Sequence, residues 1–281
     1  MDDNLLKDLI INSLREDIGE GDHSSLACIP AGKTGKARLL IKQSGIIAGI
    51  NIAKEVFNIV DPGLAINTFI VDGSAVKNGD IAFRVMGNIQ SILKSERLVL
   101  NIMQRMSGIA TTTHEYAEKL KGLKTKILDT RKTSPGLRIL EKEAVRIGGG
   151  MNHRMGLYDM IMLKDNHIDY AGGIKNAINF TREYLVSRNL NLKIEIEARN
   201  LEDIEIIMAA GGVDRIMLDN FNIENTRSAV KLINDRFETE SSGGITIDTI
   251  RSYAECGVDY ISVGALTHQI RSLDMSLKAF Q

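Results

Sequence analysis

Apolar residues change their period several times along the first hundred positions of the chain, and each period predicts a different element. Leu6, Leu9, Ile10 and Leu14 recur at helical spacing, whereas Ala37, Leu39 and Ile41 alternate with polar neighbours as a half-buried strand does. Asn78-Gly79 predicts a hairpin-type turn leading into a strand near Ile81 to Val85. From Ser91 the pattern becomes helical, with Leu93, Leu100 and Met103 as core positions, and a second helical stretch runs to about Leu120. The mixture predicts an α+β domain followed by helices that bridge to a second one.

After Lys124 the texture changes to short apolar runs separated by longer amphipathic segments: KILDT, MIMLK, KIEIE, RIMLD and YISVG, with a weaker run ending at Glu240. That alternation predicts repeated βα units around a parallel sheet of about six strands, either a barrel or a doubly wound sheet. Polar groups crowd the C-terminal ends of these runs: Asp129 to Lys132, Lys164 to His167, Glu195 and Glu197, Asp219-Asn220, and Glu240 before Ser241-Ser242-Gly243-Gly244. A barrel collects strand-end residues at one mouth, whereas a doubly wound sheet would leave some of them idle.

The collected groups have a definite electrostatic sense. Arg131, Lys132, His153, Arg154 and Lys164 are cationic or can become so, which suits a substrate with several carboxylates or phosphates. Glu197 and Asp219 add hard oxygen ligands of the kind that hold Mg²⁺ together with substrate phosphates. Each residue also has a plainer reading. Strand-end Arg and Lys are usually solvated; Gly148-Gly149-Gly150 serves equally as a helix C-cap and turn; His23 and His114 fall outside the cluster; and Met151, Met155, Met160 and Met162 read as packing. Gly243-Gly244 before Ile245 and Thr246 reads as a phosphate cradle at a helix N-terminus.

Composition narrows the classes without adding a site. The 281 residues, 43% apolar and 25% charged, can bury a sizeable core. A net charge of −1 provides no field to draw in nucleic acid or an anionic membrane. Cys28 and Cys256 lack metal-ligand spacing and predict free thiols in a reducing compartment. The acidic N-terminus is unlike a signal peptide and no apolar run is long enough to span a bilayer, so the expected location is cytoplasmic.

Six blocks carry a resemblance: DTRKTSPGLR (129–138), KEAVRIGGGMNHRMGLYDMIMLKDNH (142–167), KIEIE (193–197), IMLDN (216–220), ESSGGI (240–245) and VDYISVGALTH (258–268). Together with ERLVLNIMQRMSGIAT (96–111), they resemble the type II phosphoribosyltransferases, and most closely the quinolinate phosphoribosyltransferase family. The similarity runs in order from about Glu16 to the C-terminus, with the TRKT and GGG-x-NHR blocks the most specific.

The resemblance implies an α/β fold: an N-terminal α/β sandwich (1–108, with 269–281 returning to it) and an open, incomplete β/α barrel of about seven strands (109–268). It implies phosphoribosyl transfer from phosphoribosyl pyrophosphate to quinolinate with decarboxylation, giving nicotinate mononucleotide, pyrophosphate and CO₂ on the route to NAD. Arg131, His153, Arg154 and Lys164 would bind the ring carboxylates, helped by Arg97 from a partner subunit. Lys132, Glu197, Asp219, Ser242, Gly243, Gly244, Gly264 and His268 would face phosphoribosyl pyrophosphate, with Lys132, Glu197 and Asp219 catalytic and the two carboxylates holding Mg²⁺. Gln269 stands where the family often carries Ser. The expected assembly is a homodimer with shared sites, or an oligomer of such dimers. The apolar surroundings of Arg97 (Leu98, Val99, Leu100, Ile102, Met103) suggest that something covers that helix.

Three rivals remain open on the residues alone. One is a related transferase acting on nicotinate without decarboxylation. Another is a Schiff-base lyase using Lys164 or Lys132. The third is a non-catalytic phosphate-binding module.

Overall fold

The computed structural model describes residues 3–280. Its strands are Thr34–Ile41 (β1), Gly45–Ile46 (β2), Ala65–Thr68 (β3), Ala75–Val76 (β4), Ile81–Asn88 (β5), Lys126–Leu128 (β6), Ile161–Leu163 (β7), Ile194–Ala198 (β8), Arg215–Asp219 (β9), Glu238–Ser242 (β10), Tyr260–Ser262 (β11) and Met275–Phe280 (β12). The chain forms two compact units, one of residues 1–114, 133–149 and 266–281 and the other of 115–132 and 150–265.

The first unit is built on an antiparallel sheet in the order β12-β1-β5-β3. Leu39 sits opposite both Leu277 and Phe83, and Ala37 opposite Ala279 and Val85, so alternation along each strand gives one apolar face. Phe83 meets Phe57 of the helix Ile50–Val60 edge-to-face, with centroids 5.9 Å apart. The helix Asp3–Ile18 buries Leu6, Ile10 and Leu14, as its spacing requires.

Three details differ from the sequence reading. First, the Asn78-Gly79 turn closes with Asp80 N–H donating to the Lys77 carbonyl, but it joins no hairpin: β4 pairs with β2, while β5 pairs with β1 and β3. Pairing with β1 extends the apolar face of the larger sheet, which outweighs the local preference for pairing consecutive strands. Second, residues 89–119 are one helix of 31 residues, not two. Met103, Met106, Ile109 and Ala110 are buried in succession through its middle, while Leu93 is 38% exposed rather than core. Third, Leu98, Val99, Leu100, Ile102 and Met103 are already buried within the chain, so their apolarity by itself calls for no covering partner.

The long helix carries Gly108 where the backbone of Arg271 crosses it. A Cβ at position 108 would fall 2.3 Å from the Arg271 carbonyl oxygen, and a backbone atom there cannot swing aside. Gly108→Ala is therefore expected to destabilise the protein by about 1–3 kcal/mol despite alanine's better helix propensity. An unchanged midpoint in thermal unfolding would show that the crossing segment gives way.

The second unit is a parallel sheet in the order β6-β11-β10-β9-β8-β7. A single parallel bridge from Leu128 to Met151 adds a vestigial seventh stave beside β6, so this is an open β/α barrel interrupted between Met151 and β7. Met151 is 45% exposed, and its backbone bridge rather than side-chain packing is what places it here. Every residue of β8 is buried, as expected for a strand covered on both faces. Ile194, Ile196, Ile216, Leu218 and Ile261 occupy one set of alternating positions. The other set carries Glu195, Glu197, Arg215, Asp219 and Glu240, so this barrel has a charged interior in place of the usual branched aliphatic layers. Asn200 and Asn222 cap the helices that follow β8 and β9. Among the described residues no helix is long and apolar enough to cross a membrane. Cys28 is exposed, Cys256 is buried, and both are free thiols.

Candidate active site

The strand ends of the barrel unit place two pairs of like charges at its mouth. The first pair is cationic. Arg131 follows β6 in the segment 129–132, and Arg154 follows the Met151 bridge. Burial and the neighbouring charge of Arg131 both lower the Arg154 pKa, so two guanidiniums share this part of the site. The Arg154 side chain is aimed by the Met160 carbonyl at 3.3 Å and the Met162 sulfur at 3.6 Å, which gives those methionines a positioning task besides packing.

The second pair is anionic. Glu197 is the penultimate residue of β8 and Asp219 the last of β9, on adjacent strands. Burial, followed by the charge of Glu197, raises the Asp219 pKa. Glu197 Oε1 takes an ion pair from Lys164 Nζ at 2.9 Å, and its Oε2 accepts the Asp165 N–H at 3.1 Å. Asp219 Oδ2 accepts from Asn220 Nδ2 at 2.9 Å. Two facing carboxylates of which one resists ionisation form a donor set that a hard divalent cation would satisfy.

The loop after β10 differs from its sequence reading. Gly243 and Gly244 both have positive φ, 95° and 61°, and the next helix starts only at Ile250. The pair is thus a left-handed turn at a strand end, not a helix N-terminus. A Cβ on Gly243 would lie 2.1 Å from Asn220 Oδ1, so glycine is required for the loop to pass the β9 end. Ser242 closes that approach by accepting the Asn220 N–H at 2.9 Å. Lys132 is exposed at the end of the β6 segment, where its N–H donates to Thr130 Oγ1, and Gly264 follows β11. Arg97 and His268 are exposed residues of the first unit.

Beneath the mouth is a buried cluster in which Glu195 and Glu240, read from the sequence as strand-end polar residues, and His153, expected at the ring carboxylates, meet Arg215, which the sequence reading missed. His153 Nε2 faces Glu195 at 2.9 Å and Glu240 at 3.5 Å. Arg215 NH1 pairs with Glu240 at 2.9 Å while its plane stacks over Tyr260 at 4.0 Å. Burial, then the charge of Glu240, pushes the Glu195 carboxyl up to about 7. Burial opposes charge on His153, but contacts with Glu195 and Glu240 outweigh it and raise the ring to about 9. His153 Nδ1 accepts the Arg154 N–H at 2.6 Å, so Nε2 is the ring nitrogen that presents a proton to Glu195 and Glu240. These three ligand-bearing side chains lie within 4.8 Å of one another and could in principle grip a metal. Arg215 supplies positive charge to Glu240, and Glu195 faces the His153 ring.

An open β/α barrel that presents paired guanidiniums, a lysine and paired carboxylates at its strand ends, beside glycine turns, belongs to the enzymes that handle polyanionic substrates. The chain is a member of the quinolinate phosphoribosyl transferase family, whose N-terminal domain it matches over residues 22–107 and whose C-terminal domain it matches over 109–278. It is 46% identical to the chloroplastic nicotinate-nucleotide pyrophosphorylase [carboxylating] of Oryza sativa subsp. japonica, an alignment covering 97% of this chain and 77% of that protein. The crystal structure of NadC from Streptococcus pyogenes superposes with a TM-score of 0.93 at 38% identity, covering 100% of this chain and 99% of that one. The nicotinate-nucleotide pyrophosphorylase structure from Francisella tularensis gives 0.93 at 37%, covering 100% and 98%.

Proposed function

We propose that this protein transfers the phosphoribosyl group of phosphoribosyl pyrophosphate to quinolinate with loss of CO₂, forming nicotinate mononucleotide and pyrophosphate. The observation that supports this reading is a half-buried Arg154 fixed at the Met160 carbonyl, with the charge of Arg131 disfavouring its cation. A ring bearing two adjacent carboxylates relieves that repulsion, and a monocarboxylate such as nicotinate relieves only half of it.

Arg131, Arg154 and Lys164 grip the carboxylates and hold the ring nitrogen toward the anomeric carbon, a near-attack pose that accounts for much of the acceleration. Lys132 and the backbone of Ser242, Gly243, Gly244 and Gly264 face the phosphates. As the nitrogen–carbon bond forms, pyrophosphate departs with the electron pair. The ring nitrogen becomes cationic and stabilises the electrons left on the neighbouring carbon when CO₂ leaves; a proton from solvent then fills that position. Glu197 and Asp219 suit Mg²⁺, which when bound would neutralise the departing pyrophosphate. Lys164 Nζ is engaged by Glu197 at 2.9 Å, whereas a Schiff-base lyase would need that amine turned toward a carbonyl carbon.

The proposed assembly is a homodimer, or an oligomer of dimers, in which Arg97 enters the partner's site. The proposed location is the cytoplasm, which accords with two free thiols. Product formation should require quinolinate, phosphoribosyl pyrophosphate and Mg²⁺ together. Full activity in excess EDTA would remove the metal from this reading.

A further inference from the structure

The charge of Arg131 disfavours the Arg154 cation, and buried contacts connect the two segments that carry them. Asp129, fully buried two residues before Arg131, accepts the His153 N–H on Oδ1 at 2.8 Å, tying the β6 loop to the segment that carries Arg154. The His153 ring continues the connection, because its Nδ1 accepts the Arg154 N–H. Its far edge is held by Glu195 and Glu240, and Glu240 is held in turn by Arg215. Arg215 is anchored at the bottom of the barrel by Glu238 at 3.1 Å and by the Tyr260 ring. A continuous chain of buried charge therefore runs from the floor of the barrel to the two peptides that carry the guanidiniums.

We propose that Asp129 and Glu240 are positioning residues for the dicarboxylate subsite: through the His153 ring and backbone they clamp Arg131 and Arg154 side by side, so that His153 acts on the substrate through Arg154. This rests on the function proposed above. Buried contacts that tie both segments to the barrel floor restrict their motion, and such restriction is what a pair of repelling cations requires before the substrate arrives. The same residues have a purely structural reading as filling for a polar core. The two readings differ in selectivity, because a clamp affects one substrate and filling affects everything.

The test uses Glu240→Gln and Asp129→Asn, each near-isosteric, in the full-length protein. Each should raise the quinolinate KM about tenfold or more while the phosphoribosyl pyrophosphate KM changes less than about twofold. Combined with Arg154→Ala, each should cost little beyond Arg154→Ala alone, since residues acting through one another are not additive. Without any substrate, hydrogen exchange at the Arg154 amide should quicken in both variants while exchange in the first unit is unaltered. Equal rises in both KM values, fully additive losses, or unchanged Arg154 exchange would overturn the clamp. If Glu240→Gln fails to fold, Glu195→Gln, which touches the same ring edge, is read by the same criteria. Wild-type protein inert toward quinolinate would instead refute the function, and the exchange measurement would still decide the clamp.

Discussion

Arg154→Ala is expected to lower kcat/KM for quinolinate by about two to three orders of magnitude, the roughly 3–4 kcal/mol that follows when one member of a desolvated charge pair is cut away. The reasoning starts from the free protein, in which the burial and like charge around Arg154 already disfavour its cation. A bound dicarboxylate converts that cost into attraction, and alanine would leave one carboxylate facing Arg131 alone. Arg154→Lys should fall between, because it keeps the charge and loses the planar fork. Phosphoribosyl pyrophosphate KM should move little in either variant. Near-normal kcat/KM in Arg154→Ala, measured by steady-state kinetics with quinolinate varied, would mean that the ring binds elsewhere.

An equally large effect is expected at Arg97, and it can be read with a gain of signal. Arg97→Ala and Lys132→Ala should each be nearly inactive, and mixing them under conditions that exchange subunits should restore activity. If Arg97 acts across a two-fold interface, each mixed dimer contains one doubly damaged site and one intact site, so random exchange returns about a quarter of the wild-type sites. If Arg97 serves its own chain, no site in any dimer is whole. The decisive result is the activity of a mixture whose exchange has been verified by native mass spectrometry; an inactive mixture contradicts the shared site. Arg97 is exposed on a helix whose neighbouring apolar residues are already buried, so Arg97→Ala should leave the helix in place.

Much of this was legible in the chain because the relevant physics is local. Ala37, Leu39 and Ile41 alternate because one face of β1 is buried, and KIEIE and RIMLD stand out because each strand is covered on both sides. The pairing of β4 with β2 was hidden because nothing near Asn78-Gly79 reports contacts some thirty residues away. At Gly243-Gly244 the glycine pair signals positive φ but not where the following helix starts. The buried charge chain did leave a trace. Glu195 and Glu197 alternate with isoleucine in a strand that must be buried on both faces, and Arg215 lies opposite Glu195 on β8 and Glu238 on β10. Charges alternating within such strands imply a polar barrel interior, but their pairing with His153 depends on three-dimensional register that spacing alone does not provide.

The central claim is that two carboxylates are bound and one is lost. Quinolinate labelled in the carboxylate adjacent to the ring nitrogen, supplied with phosphoribosyl pyrophosphate and Mg²⁺, measures this directly through trapped CO₂ and released pyrophosphate. The account predicts that the two products appear in equal amounts, that both vanish when quinolinate is omitted, and that nicotinate in its place gives neither at a comparable rate. Pyrophosphate release with nicotinate as fast as with quinolinate, or without matching CO₂, would contradict it.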